Sequence, residues 1–467
     1  MWGSSVRKII MLVATALVAV SLTGAPASAK GTPDKYVPKA GPAFNNPYGK
    51  QADVRRLISQ VNRTVDSVPK GGKIRISAWN VRSAAITNSL IRAHNRKVSV
   101  QVVMDRANWN PNNPNADAAR LAAALKVGNK GLSPEKKSFL KRCIGSCRGK
   151  HGIPHSKFFL FNKVRTKKHK QVKTVRWVTM FGSYNATELG ATIQWNDLYT
   201  IKNDETRYRN FLDIFDQMVE DQPVKNAYTG YDDGVVGTSF YPYVGKQAAT
   251  PDPIMDVLNS VACKGATTNK NGTTRIRIAQ TSMYGDRGLK LARKIAQLQR
   301  QGCNIRLVYA MFGGEVLRIM RAAQVPLTHL AYDNNEDGLY DRYVHMKSMA
   351  ISGNVGGDPA ARITWNGSAN WTSVALASDE VVGVVRKKWV TNRYMQWIDY
   401  MFTHRPAAWG PEHPGNSGGG DPTGRVVASG LGSYAARAAA TDQYDAMVEA
   451  RAKKRGVDPY ALIKEEN

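Results

Sequence analysis

Strand and helix patterns run along this chain in one order, twice over, and a repeat of that size leaves few folds open. In the first pass Val54, Leu57, Ile58, Val61 and Val65 follow helical spacing, and Lys73 to Ala78 alternates as a strand. Ile86, Leu90 and Ile91 mark a second helix, and Val98 to Met104 a second strand. In the second pass Ile254, Val257, Leu258 and Val261 lie on a helix, Arg275 to Ala279 on a strand, Leu291, Ile295 and Leu298 on a helix, and Ile305 to Tyr309 on a strand. Such alternation predicts an α/β sandwich with mixed sheets, one per half. With 467 residues, 42% of them hydrophobic, the chain has enough apolar side chain for two such cores.

Each pass ends in the same small signature. His155-Ser156-Lys157 is followed by Gly182-Ser183-Tyr184-Asn185, and His345-Met346-Lys347 by Gly367-Ser368-Ala369-Asn370. From Lys to Asn the distance is 28 residues in the first copy and 23 in the second, which suits two neighbouring strands joined by a hairpin of variable length. On an extended chain residues i and i+2 share a face, so each His stands beside its Lys and each Ser beside its Asn. Cleaving a phosphodiester requires neutralising its non-bridging oxygens, a task for Lys157, Lys347, Asn185 and Asn370. It also requires a nucleophile and an acid. An imidazole with an ordinary pKa near 6.5 serves as either, so His155 and His345 divide those roles in an order that residue type alone leaves open. This chemistry is complete without a metal or cofactor, and none is expected.

The arrangement resembles the phospholipase D superfamily, whose members carry H-x-K-x4-D twice with a downstream G-S-x-N, and the likeness covers roughly residues 44 to 405. It implies a phospholipase D-like duplicated sandwich of two halves related by a pseudo-twofold axis, residues 44–245 and 246–410. By the same resemblance His155 is the nucleophile that forms a covalent phosphohistidine, and His345 is the general acid. Asp197 and Glu380, downstream of the motif serines, are the carboxylates implied to orient a histidine through its second ring nitrogen. The implied reaction is hydrolysis of a glycerophospholipid, at a membrane or micelle surface, to phosphatidate and a head-group alcohol. A non-specific nuclease of the same superfamily is the alternative, and a catalytically inactive cationic binding protein a third. Two motif copies in one chain imply a monomer with no obligate protein partner. The pattern departs from the family where Asn162 and Ser352 replace the Asp of H-x-K-x4-D. That Asp does not contact phosphate in the family, so activity is expected to survive.

Residues 1–29 combine Arg7 and Lys8, an apolar run from Ile9 to Val20, and Ala27-Ser28-Ala29, the grammar of a cleaved signal peptide, so a secreted protein is expected. In that compartment the four cysteines read as disulfides, paired Cys143 with Cys147 and Cys263 with Cys303. Four-residue steps linking Cys143, Cys147, His151 and His155 leave a zinc site as a lesser alternative.

The net charge of +30 predicts an anionic partner. Residues 136 to 176 hold fourteen Lys or Arg and no Asp or Glu, either a solvated hairpin or a surface that steers phosphate-bearing substrates and keeps the nuclease alternative open. Asp333 to Gly338 begins like a calcium loop, but Val344 stands where the twelfth-position Glu belongs, so an acidic turn is expected. Trp79 and Phe312 are candidates for a pocket rim that dips into lipid. Residues 411–467 read as a linker, rich in Gly and Pro from His413 to Gly424, and a tail, either a short helix or disordered, with no assigned chemistry.

Overall fold

The computed structural model describes residues 36–168, 171–243, 252–406, 426–428 and 434–465. The expected leader and the His413 to Gly424 linker lie outside these residues.

Two mixed sheets organise the chain, and their strand orders match position by position. The seven-stranded sheet runs Gly41–Phe44, Asp197–Ile201, Gln171–Gly182, Phe158–Lys168, Lys73–Ser77, Ser99–Asp105, Phe139–Cys143. In the nine-stranded sheet the same seven positions are taken by Val236–Phe240, Val381–Val385, Asp358–Gly367, Lys347–Val355, Arg275–Met283, Asn304–Phe312 and Leu327–His329. The directions match as well. Lys73–Ser77 pairs parallel with Ser99–Asp105, as Arg275–Met283 does with Asn304–Phe312, and both motif hairpins are antiparallel. The α/β sandwich with a mixed sheet in each half is therefore the observed fold.

One boundary shifts. Strands Thr229–Asp232 and Val236–Phe240, placed with the first half by sequence, hydrogen-bond into the second sheet, where Val236–Phe240 pairs with Val381–Val385. Its counterpart Gly41–Phe44 pairs with Asp197–Ile201. Each repeat thus begins with a short strand before its first helix. GPAF and VGTSF carry too little alternation to announce themselves.

The helix Arg56–Asp66 buries Leu57, Ile58, Val61 and Val65, the face the spacing marked. It packs with helices Ala84–Asn95 and Ala116–Lys126 on the outer side of the first sheet. The motif hairpin is buried on both faces. Phe159 and Phe161 enter that outer core, whereas Phe158, Leu160 and Phe181 meet Phe240 and Val381 of the second half in a core shared by both sheets. This shared core brings the two motif sets face to face.

The tail is helical, Tyr434–Arg455 and Ala461–Glu465, and Val448 and Ile463 are fully buried in the shared core. Asp445 accepts hydrogen bonds from the Tyr340 hydroxyl and the His329 ring, each at 2.8 Å. The calcium-like segment is an acidic turn. Asp333 accepts from the backbone N–H groups of Asp337 and Gly338, and Arg451 of the tail lies 3.2 Å from its carboxylate. Both expected disulfides, Cys143–Cys147 and Cys263–Cys303, are formed. The first removes two ligands of the zinc alternative, and His151 is exposed. Among the described residues no helix is long and apolar enough to cross a membrane.

Candidate active site

Each motif histidine sits in an extended segment just before a hairpin strand, anchored by the opposite half. The His155 N–H donates to the carbonyl of Asp379 at 3.0 Å, and the His345 N–H donates to the carbonyl of Trp195 at 2.9 Å. Two residues on, each lysine folds back over its own histidine. Lys157 Nζ donates to the His155 carbonyl at 2.6 Å, and Lys347 Nζ to that of His345 at 2.9 Å. None of the eight motif His, Lys, Ser and Asn residues is more than 4% exposed, so a phosphate reaching them is stripped of most of its water.

The histidines are oriented across the pseudo-twofold axis. His155 Nδ1 lies 2.8 Å from Glu380 Oε1, contributed by the second half. His345 Nδ1 lies 2.9 Å from Asn196 Oδ1, contributed by the first. Asn196 cannot turn its amide round, because its Nδ2 donates to the Gly190 carbonyl at 3.0 Å and its Oδ1 also receives the Ser183 hydroxyl at 2.8 Å. A carboxylate and a carbonyl oxygen only accept, so both Nδ1 atoms carry protons, and in the neutral form of each ring Nε2 carries the lone pair.

This corrects the assignment of Asp197, since the group at His345 Nδ1 is Asn196. Asp197 accepts instead from the Tyr394 hydroxyl at 2.7 Å, Asn366 Nδ2 at 3.0 Å and the Ser183 N–H at 3.2 Å, tying the halves together behind the site. Burial pushes its carboxyl up while these donors pull it back. Sheet register explains the miss. Gly182 pairs with Leu198 and Gly367 with Val382, which makes Asn196 the counterpart of Glu380. The link from serine to orienting residue is thirteen residues in the first copy and twelve in the second. Only that register could have found Asn196, since an amide gave no charge to notice.

The serines serve the orienting residues. Ser183 holds Asn196, and Ser368 donates to the second oxygen of Glu380 while accepting from the Val381 N–H at 3.0 Å. Asn185 differs. It is wholly buried, and neither its Oδ1 nor its Nδ2 has a partner among the described residues. Such a group costs stability unless a ligand satisfies it. Asn370 is buried at the equivalent place. Asn162 accepts from the Lys73 N–H at 2.7 Å, a structural task that needs no carboxylate.

Electrostatics show that the groups share one site. Burial drives the His155 pKa down to about 4; Glu380 opposes this, and Lys157 and Lys347 reinforce it. Burial, Lys347, Lys157 and His155 together hold His345 well below its ordinary value. Burial disfavours the Glu380 anion, yet His155, Lys157 and the Ser368 hydroxyl more than offset it, so the carboxyl titrates below its usual range. The resting site therefore pairs two neutral imidazoles with two lysines and one carboxylate.

The aromatic rim expected from sequence is not one. Trp79 is 7% exposed and meets the His155 ring edge to face with centroids 6.4 Å apart, and Phe312 is buried against Tyr309.

Residues 70–219, which contain the first motif set and Asn196, match a family model described as cardiolipin synthase, PLD-like domain. No curated protein matches the chain. Among solved structures, phosphatidylserine synthase of Haemophilus influenzae Rd KW20 aligns over 91% of this chain and 94% of its own, with a TM-score of 0.51 and 13% identity. Polyphosphate kinase from Porphyromonas gingivalis aligns over 78% of this chain at 12% identity with a TM-score of 0.47, and the chain spans only 50% of that kinase. Nuc of Salmonella typhimurium, described as a phospholipase D family member, covers 39% of this chain at 19% identity with a TM-score of 0.27, and 96% of its own length. The synthase likeness, nearly end to end, identifies the fold as phospholipase D-like.

Proposed function

We propose that this chain is a phosphodiesterase that works through a phosphohistidine on His155, with glycerophospholipids as its substrates. The observation that carries the reading is the crossed pair of orienting contacts, His155 with Glu380 and His345 with Asn196, around one enclosed, lysine-lined site. In the first step the His155 Nε2 lone pair attacks phosphorus and the bond to the head-group oxygen breaks. A proton from His345 Nε2 goes to that leaving oxygen. Glu380 stabilises the phosphorylated imidazolium, whose Nδ1–H it already accepts. Water then replaces the alcohol. His345 takes its proton, the hydroxyl attacks phosphorus, the P–N bond breaks, and a phosphomonoester leaves. His345 starts neutral, so the diester anion must lift its pKa on entering the site and bring the proton in with it.

Lipid is favoured by the likeness to a cardiolipin synthase PLD-like domain and, over nearly the full length, to a phosphatidylserine synthase. The basic run from residue 136 to 176 favours the second reading, a nuclease. Export rests on the leader-like residues 1–29 and accords with two disulfides.

The test is to incubate the mature protein with phosphatidylcholine vesicles and with plasmid DNA, each with EDTA present. Choline release that disappears in His155→Ala is the expected result. Nicking without lipid turnover would move the assignment to the nuclease, and neither product from folded protein would reduce the site to a relic.

A further inference from the structure

Residues 143 to 155 connect the last strand of the first sheet to His155, and that connection is gripped by one side chain of the second half. At its start Cys143 and Cys147 form a disulfide. Inside the small ring the chain turns through Gly145 at φ 70°, which presents the Cys147 N–H and the Ser146 hydroxyl to the same carboxylate. Asp379 Oδ2 accepts both, at 2.5 Å and 3.0 Å. Next to the ring, the fully buried Arg148 donates to Gln217 Oε1 at 2.9 Å and to the carbonyls of Tyr241 and Ala227 at 2.9 Å and 2.6 Å, so the ring cannot drift.

Asp379 also holds the other end of the connection by its backbone. Its N–H donates to the Ile153 carbonyl at 2.9 Å, and its carbonyl accepts the His155 N–H at 3.0 Å. Gly152 lets the two segments close on each other, because a Cβ there would lie 2.4 Å from the Ala377 carbonyl oxygen. The next residue is Glu380, which orients the His155 ring. One residue thus fixes the backbone of both members of the pair, while its side chain is bolted to a covalent ring.

Among the described residues the second half has no such device. The residue that holds His345 in the equivalent way is Trp195, whose ring packs 5.5 Å from Tyr48 and 6.2 Å from Tyr332. An apolar stack suffices there. A buried carboxylate at the matching position is expensive to keep, and burial raises its pKa to about 7 despite Arg148 and the donors of the ring. Stability does not explain that expense.

We propose that Asp379 is a positioning residue for the His155–Glu380 pair, with the Cys143–Cys147 ring as its mount. The proposal rests on the phosphohistidine reading and adds a residue that touches neither substrate nor reacting atoms. Replacing Asp379 by Ala leaves the Cys147 N–H and Ser146 hydroxyl without their acceptor and frees the histidine's backbone anchor to shift. Asp379→Asn keeps an acceptor at the Oδ2 position, and its amide falls where Oδ1 now has no partner among the described residues.

The experiment measures kcat and KM on a chromogenic phosphodiester, Tm, and the downfield NMR proton signal of His155 Nδ1–H in each variant. Misplacing a nucleophile by a fraction of an ångström to one ångström costs up to about 100-fold, so Asp379→Ala is expected to lower kcat roughly 30-fold with KM little changed and to lose the downfield signal. Asp379→Asn restores both. Cys143→Ser/Cys147→Ser, if folded, follows the Ala variant, whereas Cys263→Ser/Cys303→Ser lowers Tm alone. An Ala variant with kcat within about threefold of wild type, or an Asn variant as impaired as Ala, overturns the proposal. If wild type itself turns over no phosphodiester, the functional reading fails separately. The downfield signal then decides, and its persistence in Asp379→Ala refutes the positioning role.

Discussion

Glu380→Gln isolates charge from orientation at His155, the proposed nucleophile. Glutamine can present Oε1 to the Nδ1–H of His155 and its amide to Ser368, whose hydroxyl is free to turn to the Val381 carbonyl at 3.5 Å. The tautomer survives, but the negative charge is lost. Nδ1 to oxygen is 2.8 Å, which puts the charge centres about 4 Å apart; at an effective dielectric near 20, a fully formed imidazolium loses roughly 4 kcal/mol of stabilisation. Charge is only partly developed at the transition state, so kcat on an activated diester such as bis(4-nitrophenyl) phosphate is expected to fall about 10²- to 10³-fold. KM should not rise with it. Lys157 loses the negative charge of Glu380 beside it, and the site becomes more attractive to a phosphodiester anion. A fall in kcat with an unchanged or lower KM is thus the signature, read by steady-state kinetics. A variant that keeps kcat within about fivefold of wild type would mean that no positive charge builds on His155, and the covalent mechanism would be wrong.

Asn185→Ala removes a buried amide whose two polar atoms have no partner among the described residues, so its activity and stability should part company. We expect kcat/KM to drop about 10²-fold, the usual cost of a lost oxyanion donor, while Tm stays level or rises, as thermal melting would report. Acid should weaken the fold through His155. Its pKa is about 4 in the folded protein against about 6.5 unfolded, so the unfolded chain binds the proton first. Its contribution is complete above 6.5 and is lost as pH falls from there to about 4, some 3 kcal/mol in all. Urea midpoints at pH 7 and pH 4.5 should show that slope in wild type and a shallower one in His155→Ala.

How far the sequence could be read depended on the kind of signal. Amphipathic helices such as Arg56–Asp66 and the motif residues were legible because periodicity and residue type survive without coordinates. That the four cysteines form disulfides followed from an expected oxidising compartment, although nothing local pairs Cys263 with Cys303 across forty residues. What escaped depended on tertiary register. Asp197 drew notice by its charge, whereas the working residue Asn196 precedes it by one position and is revealed only by the pairing of Gly182 with Leu198. Trp79 and Phe312 looked like a rim because aromatic type does not say which side of a strand end is covered. The short strands that open each repeat, and the burial of Val448 and Ile463 of the tail, were likewise set by partners distant in sequence.

The crossed contacts explain why duplication within one chain matters. Each histidine takes its orienting group from the other half, so neither half carries a finished site. Two identical halves would have to orient both imidazoles with the same group, and symmetry would give both rings the same proton affinity. In a single chain the two positions are free to differ, and here they do: a carboxylate at 380 and an amide at 196. On the proposed mechanism the carboxylate favours the ring that must bear a positive charge after attacking phosphorus. The neutral amide fixes the tautomer of the other ring and stabilises its protonated form far less than a carboxylate does, so that His345, in the proposed role of acid, releases its proton readily to a leaving oxygen. In that mechanism the difference between Glu380 and Asn196 is what separates the nucleophile from the acid.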